Sequence, residues 1–549
     1  MSQKQAQPTE ECAGQAKDRP VLPAPCAPVE REKDGRPIGL ETLWWALGVA
    51  VAIVLVFHEG MRFGFLPDWD DANFIQNNPR LAFSWENLMH YAAHPFQELY
   101  TPLPMWSLML DYAMFGLSPL GYHLHNLALH VLGAWMLLAV LRKMGVRPAL
   151  AALGALLWAL NPQKVESVVW LSERKDVLCG MLSFAAMWCF LNRWAWRCAL
   201  CTALAIFAKP AAVALPGVYL VWHLAGLAPG WRKWPVCPVA AGIMACVVSM
   251  LMTGQTNPGR LESALLVPIH NLFWYPLASL VPFETNPIYP EVICLDAHFL
   301  GVLLGGMALL GAGVALARRL KCPWRKIWGV LLILGGTMLP VLGLLHYTNF
   351  RYCDRYNYLV SAVMVSGAMV LAEMALRRWP RKHFRRVLLG GLAGMAIGYG
   401  CLTYLYVPYW ENCLKLSYCS LQRPGRPNLK AYEMGTMAAF RHGAKDYLDY
   451  LRGELQRRPP LTRFDREASI RSYLLFMETH EAFMAGQYAA AEAAFRQLAI
   501  QFAQSSQGED VVVPLPPTLI QWLYADMVEI ALRQGNLEKA EFYRSKIHP

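Results

Sequence analysis

Asn161-Pro162-Gln163-Lys164-Val165-Glu166-Ser167-Val168-Val169-Trp170-Leu171-Ser172-Glu173-Arg174-Lys175-Asp176-Val177-Leu178 lies between two apolar runs, 148–161 and 176–192. It gathers Lys164, Glu166, Glu173, Arg174, Lys175 and Asp176 where both neighbours are apolar helix. Ionisable side chains beside membrane spans are costly, and by default they mark function. The junction therefore reads as the turn between two membrane helices, with a polar cluster at the membrane face.

The same alternation continues outward. Of 549 residues, 55% are hydrophobic and 16% charged, against about 25% charged in a typical soluble domain. Runs able to cross all or half of a bilayer lie near 41–58, 121–141, 148–161, 176–192, 197–208, 210–226, 236–253, 266–283, 297–317, 327–346, 356–376 and 387–408. The expected fold is all-α, a polytopic membrane helix bundle of eleven or twelve spans. A net charge of +11 raises nucleic acid as a partner. The basic residues are split into short clusters rather than one patch, so none is expected. The 14 cysteines form no paired CxxC framework. Cys179, Cys189, Cys198, Cys201 and Cys246 sit in apolar runs, where a thiol behaves as a small hydrophobe. Cys353, Cys413 and Cys419 are expected on an oxidising side, and one disulfide among them is left open.

Charge asymmetry sets the orientation. Arg142, Lys143 and Arg147, then Arg193 and Arg197, Arg232 and Lys233, and the basic stretches 318–326 and 377–386 occupy one set of junctions, expected to be cytoplasmic. Asp68, Asp70, Asp71, Glu86, Glu98, Glu166, Glu173, Asp176, Glu262, Glu284 and Asp354 fall on the opposite set. Residues 1–38, rich in Pro, Lys, Glu and Gln, are expected to be a disordered cytoplasmic tail before an uncleaved first anchor. The alternation fails once. A full crossing by 266–283 would place 318–326 on the wrong side. With Pro268, Pro276 and Pro282, that segment is expected to be a broken or re-entrant helix lining a cavity.

The membrane domain is assigned 39–410, with a long outer loop at 59–120. Its Trp-rich, Pro-punctuated segments are expected to form interfacial helices. Residues 411–549 are soluble in character. Gly486-Gln487-Tyr488 leading to Phe495, and Gly535-Asn536-Leu537 leading to Tyr543, share the spacing of TPR helix pairs. Two repeats are too few for independent stability, so a degenerate third near 431–455, or packing on the membrane domain, is expected. Span parity puts this TPR-like domain outside the cytoplasm.

Four clusters carry chemistry: Asp68-Trp69-Asp70-Asp71, the junction at 161–178, Ala208-Lys209-Pro210, and Arg351-Tyr352-Cys353-Asp354-Arg355-Tyr356-Asn357-Tyr358-Leu359. A carboxylate can act as general base on an acceptor hydroxyl. Arg and Lys can hold a phosphate leaving group. The combination suits transfer from a lipid-linked phosphate donor. Each cluster has a plainer reading. Asp70 and Asp71 can cap a short helix. Glu166, Glu173, Arg174 and Asp176 can form a structural ion-pair network, and Lys209 can snorkel to the headgroups. Arg351 and Arg355 can simply pair with Asp354. His123, His125 and His130 share one helix face and read first as packing or hydrogen-bonding groups, with His123 carried as a substrate-binding candidate.

The order Asp-Asp, Asn-Pro, Trp, Pro-Leu, Gly-Leu-x-Pro-x-Gly-x-His-x-x-Asn, Val-Glu-Ser-Val-x-Trp-x-x-Glu-Arg-Lys-Asp-Val-Leu, Ala-Lys-Pro and Asp-Arg-Tyr-x-Tyr-Leu, over about residues 60–360, resembles bacterial TPR-containing membrane glycosyltransferases of the GT-C type. These are similar to the transmembrane and TPR-repeat protein O-mannosyltransferases. The resemblance implies a polyprenyl-phosphate-linked sugar as donor and transfer at the outer face. It also implies an acidic residue of the first outer loop as base, here Asp70 or Asp71. Donor phosphate and substrate would be bound from among Lys209, Arg174, Lys175, Arg355, Glu166, Glu173, Asp176 and His123. No cofactor or metal ligand is required by that scheme, although a divalent metal is left open.

Relatives read Leu-His-Pro-x-His-Val-Glu-Ser where this chain has Leu160-Asn161-Pro162-Gln163-Lys164-Val165-Glu166-Ser167. Both His positions are changed, which puts donor, acceptor or activity in question. The resemblance further implies an acceptor protein or glycan, engaged through the TPR face, and a multi-pass location in a bacterial inner membrane with the active site on the periplasmic side. The competing reading is a non-catalytic TPR scaffold for envelope polysaccharide or protein assembly. A transporter is disfavoured, since the spans show no internal repeat.

Overall fold

The structure, a computed structural model, describes residues 40–547 apart from 98, 228–235, 253–262, 283, 291–292, 345–350, 424–426, 458–465, 506–514 and 516. The expected 1–38 tail, Glu98, Arg232, Lys233 and Glu262 lie outside the described residues.

Helices carry the fold. After α1 (Leu40–Phe57), the long first connection holds α2 (Trp85–Ala93) and α3 (Pro102–Phe115). The chain then runs through α4 (Pro119–Lys143), α5 (Pro148–Ala159), the short α6 (Val165–Val169), α7 (Arg174–Leu191), α8 (Ala195–Ala208), α9 (Leu215–Leu224) and α10 (Val236–Met252). It continues with α11 (Ser263–Leu280), α12 (Ala297–Arg319), α13 (Trp324–Met338), α14 (Asn357–Arg378) and α15 (Lys382–Tyr406). Prolines at the first turn start α3, α4 and α5, where the missing N–H costs nothing. Arg or Lys closes α4, α12 and α14, where a cation opposes the negative end of the helix dipole.

Five apolar helical stretches are long enough to cross a bilayer unaided: 40–62, 119–143, 297–319, 354–378 and 382–410. Leu55, Leu304, Ile397 and Leu405 leave most of their surface uncovered. Exposed apolar faces on long helices of this kind belong against lipid. The chain is an integral membrane protein.

The bundle has two distinct ends. At the basic end the Arg147 Nε donates to Glu373 at 2.8 Å, and Arg377 bonds both Glu373 and the Gly145 carbonyl. Arg325 reaches the Leu224 carbonyl at the same end. The 59–120 connection, the 161–173 turn, Lys209 and the 351–357 turn gather at the opposite end.

The expectation for 266–283 is half corrected. Helix α11 is unbroken, with Pro268 and Pro276 inside it. Yet it does not cross. Asn271 donates to the carbonyls of Leu342 and Arg351 at 3.2 and 3.0 Å, and Asn161 donates to the Ser279 carbonyl at 3.2 Å. All those partners lie at the site end, so the helix runs across that end of the bundle. Trp274 and Tyr275 are fully buried in it.

Beyond α15, α16 (Cys413–Gln422) leads into three helix pairs: α17 (Leu429–His442) with α18 (Lys445–Arg457), α19 (Arg466–Met484) with α20 (Tyr488–Ser505), and α21 (Pro517–Arg533) with α22 (Leu537–Arg544). Each pair turns on a glycine with positive φ, Gly443, Gly486 and Gly535 at 61°, 73° and 72°, a conformation that favours glycine. The pair at 429–457 covers the stretch where a degenerate repeat was expected. Cys353, Cys413 and Cys419 are buried, free thiols, so the disulfide left open among them is not formed.

Candidate active site

Leu66 to Gln76 fold into a tight turn in which the Asp70 carbonyl accepts from the N–H of Asn73 and Phe74 at 3.0 and 2.9 Å. The turn sends two adjacent carboxylates to different fates. Asp71 is 1% exposed; one oxygen accepts the Leu66 N–H at 2.9 Å. Its other oxygen accepts the Ser172 N–H at 3.0 Å and the Ser172 hydroxyl. Burial pushes its carboxyl up to about 6, against the pull of those donors. Asp70 is only partly covered. The two aspartates, equivalent in the sequence, divide into a buried anchor and a partly exposed carboxylate.

Ser172 belongs to the 161–178 junction, so the anchor sets the turn against the charge cluster. Trp69 packs on Trp170 with ring centroids 5.5 Å apart. The Lys175 ammonium lies 5.1 Å from the Phe74 ring centre and 5.7 Å from that of Trp170.

The cluster centres on Glu173. Lys209 Nζ donates to Glu173 at 2.7 Å and to Asp176 at 2.5 Å. Lys175 Nζ lies 3.0 Å from the second Glu173 oxygen and Arg355 Nε lies 3.8 Å from it. Glu166 takes the Arg355 backbone N–H at 2.9 Å and pairs with its guanidinium. Ser167 donates to the other Asp176 oxygen at 3.0 Å. Burial alone would raise the Glu173 carboxyl, but Lys175, Lys209 and Arg355 together hold it below the usual carboxylate range. Burial raises Glu166, partly opposed by Arg355. Trp170 sits between two cations, since Arg355 lies 5.5 Å from its ring centre. A cavity of about 10 Å³ beside Asp176, Lys209 and Arg355 has room for about one water.

Two of the expected donor-binding residues stand elsewhere. Arg174 points away from Glu173 and is fully buried, bonding Asn126 at 2.7 Å, the Tyr122 carbonyl at 3.0 Å, and Asp111. Its guanidinium braces α3, α4 and α7 and stands apart from the Glu173 cluster. His123 is buried in α4, with neither ring nitrogen hydrogen-bonded among the described residues. Nothing joins it to the cluster. His125 bonds Asp111 at 2.6 Å and His130 bonds Tyr358 at 2.8 Å.

The altered 161–164 segment does not face the cluster's cavity. Lys164 is buried, donating to Ser361 at 2.7 Å and to the Asn357 carbonyl at 3.2 Å. Gln163 bridges Asp354 and Asn357, and burial pulls the Lys164 amine down to about 7. The replacements are absorbed in a polar core joining α5, α11 and α14.

Three features escaped the sequence reading: Ser172 as the anchor's partner, Trp170 between two cations, and the partner of Asp68. The Asp68 carboxylate receives Arg441 of α17 at 2.7 Å. Ser172 and Trp170 lie within the string that decided the fold; nothing in the sequence points from Asp68 to Arg441. Among the described residues, no group of three His, Cys, Asp or Glu is placed to hold a metal.

The chain is 37% identical over 87 residues to the protein O-mannosyl-transferase Tmtc1 of Drosophila melanogaster. The match takes in 15% of this chain and spans about a tenth of the fly protein's length. The arabinofuranosyltransferase AftD from mycobacteria overlaps 67% of this chain and 27% of its own, at 18% identity and a TM-score of 0.39. ArnT from Cupriavidus metallidurans, solved bound to undecaprenyl phosphate, overlaps 89% of this chain and 81% of its own, at 17% identity and a TM-score of 0.36. Both are weak likenesses. No family model matches the chain.

Proposed function

We propose that this chain is a GT-C-type integral membrane glycosyltransferase. It moves a sugar from a polyprenyl-phosphate donor to a hydroxyl of a protein or glycan at the non-cytoplasmic face, in a bacterial inner membrane. The observation that carries this reading is the half-exposed Asp70 carboxylate, tied through Asp71 and Ser172 to a cluster holding Lys175, Lys209 and Arg355.

In this scheme Asp70 takes the acceptor hydroxyl's proton as that oxygen forms a bond to the sugar's anomeric carbon. The bond from that carbon to the phosphate oxygen breaks with inversion, and the polyprenyl phosphate leaves with the electron pair. Lys175 and Arg355 meet the leaving oxygen's charge, the largest kind of contribution a preorganised site makes. Lys175 and Arg355 both rest against Glu173, so donor binding turns those two side chains outward. Lys209, held by two carboxylates, stays as the pivot. The C-terminal helix pairs present the acceptor. The scheme uses no metal.

Purified protein incubated with radiolabelled polyprenyl-phosphate sugars tests it. Release of labelled sugar, lost in Asp70→Asn, is the expected result. No turnover of any donor would leave the non-catalytic scaffold as the better reading.

A further inference from the structure

The first helix of the C-terminal pairs, α17, touches the loop that carries Asp70 and reaches the Arg355 loop through Tyr289. At its far end, Arg441 sends Nη2 to Asp68 at 2.7 Å and Nε to the same oxygen at 3.2 Å. The Asp68 side chain is 1% exposed, so Arg441 neutralises a buried carboxylate two residues before Asp70. Near the start of the helix, the Lys430 ammonium lies 5.8 Å from the Trp69 ring centre. Asn428, the residue capping the helix, accepts the Lys430 N–H at 2.9 Å and donates to the Tyr289 carbonyl at 2.9 Å. The Tyr289 hydroxyl in turn donates to Asp354 at 2.8 Å, next to Arg355.

One helix is thus tied directly to the loop that carries the carboxylate pair and, through Tyr289, to the loop that carries a cluster cation. Neither loop is regular helix at those points, and irregular connections need outside contacts to hold one geometry. A buried carboxylate whose fork-shaped partner stands on another element makes such a contact strong, because losing the partner leaves the charge uncompensated.

We propose that α17 is a clamp fixing the distance between Asp70 and Arg355, with Arg441 and Asn428 as positioning residues. The C-terminal domain would then be part of the site's geometry, beyond any part in presenting an acceptor. The clamp stands on the contacts above; its catalytic consequence rests on the function proposed in the preceding section.

The full chain in nanodiscs tests this by hydrogen exchange and donor turnover. In Arg441→Ala, amide exchange across 66–76 is expected to rise about tenfold or more, while 488–505 stays as in the parent. Asn428→Ala should loosen 285–290 instead. Arg441→Lys alone should show part of the effect. Asp68→Glu combined with Arg441→Lys lengthens one side chain as it shortens the other, and should restore protection. Turnover should fall in kcat with donor KM unchanged, since the base is displaced and the phosphate contacts are not. Unchanged exchange at 66–76 in Arg441→Ala overturns the clamp, and so does looser exchange with unchanged kcat. A parent protein that turns over no donor defeats the proposed function, while the exchange results still decide the clamp.

Discussion

The Asp71 carboxylate accepts both the backbone N–H and the hydroxyl of Ser172, a residue 101 positions further along the chain. This pairing, not a helix cap, holds the turn that presents Asp70. Ser172→Ala leaves a buried carboxylate short of one donor, which costs about 1–3 kcal/mol. Thermal unfolding in detergent should show the loss, with Asp71→Asn costing more than Ser172→Ala because its amide cannot accept at both oxygens.

Asp70→Asn separates chemistry from folding. The side chain is partly exposed, so the midpoint of unfolding should match the parent's. Sugar release should drop by about 10²-fold or more. An Asp70→Asn protein with parental turnover would remove the base from the scheme.

Lys175 and Lys209 share Glu173 but differ in what their loss exposes. Lys209→Met leaves Asp176 without its cation in a buried site, at a cost of about 3–5 kcal/mol, and should fail to accumulate folded protein. Lys175→Met leaves Glu173 with Lys209 and Arg355. It should fold normally and raise donor KM, read by titrating labelled donor.

Lys164 gives the fold a pH dependence on the alkaline side. Its folded value, about 7, lies below its ordinary 10.5. As pH falls between those values the unfolded chain binds a proton that the folded chain refuses, so stability falls. Below about 7 the penalty is complete and constant. Unfolding midpoints should therefore rise from pH 7 to 9 in the parent, and Lys164→Met should flatten that part of the curve.

Because α11 runs across one end of the bundle, the start of the helix and the segment after it face the same side. In sealed vesicles, an impermeant maleimide should label Leu265→Cys and the exposed Cys294 from one side only. Labelling from opposite sides would make α11 a true crossing.

Much of this architecture was legible because membrane spans announce themselves locally. Twenty apolar residues bounded by Arg or Lys need no partner to be recognised, and the failed charge alternation alone kept 266–283 from being counted as a crossing. Its prolines misled on the other half: Pro268 and Pro276 sit inside an intact helix, because a proline packed on several sides need not break it. The site was legible as a set of residue types, not as an arrangement. Arg174 and Lys175 are neighbours in sequence, yet one braces α3 and α4 while the other faces Glu173. Side-chain direction at a helix start decides that, and composition does not. Arg441 and Asp68 stand 373 positions apart, beyond the reach of any periodic pattern.

Glu166, Glu173 and Asp176 face Lys175, Lys209 and Arg355, three negative groups against three positive ones. Counted by formal charge the cluster is balanced, unlike a site with spare positive charge waiting for an anion. A lipid phosphate arriving there upsets the balance by one negative charge, and in a poorly hydrated setting that excess is expensive. The least costly remedy is a proton taken up by one of the three carboxylates. Donor binding is thereby linked to proton uptake: affinity should tighten as pH falls, and calorimetry in buffers of different ionisation enthalpy should count about one proton absorbed per donor bound.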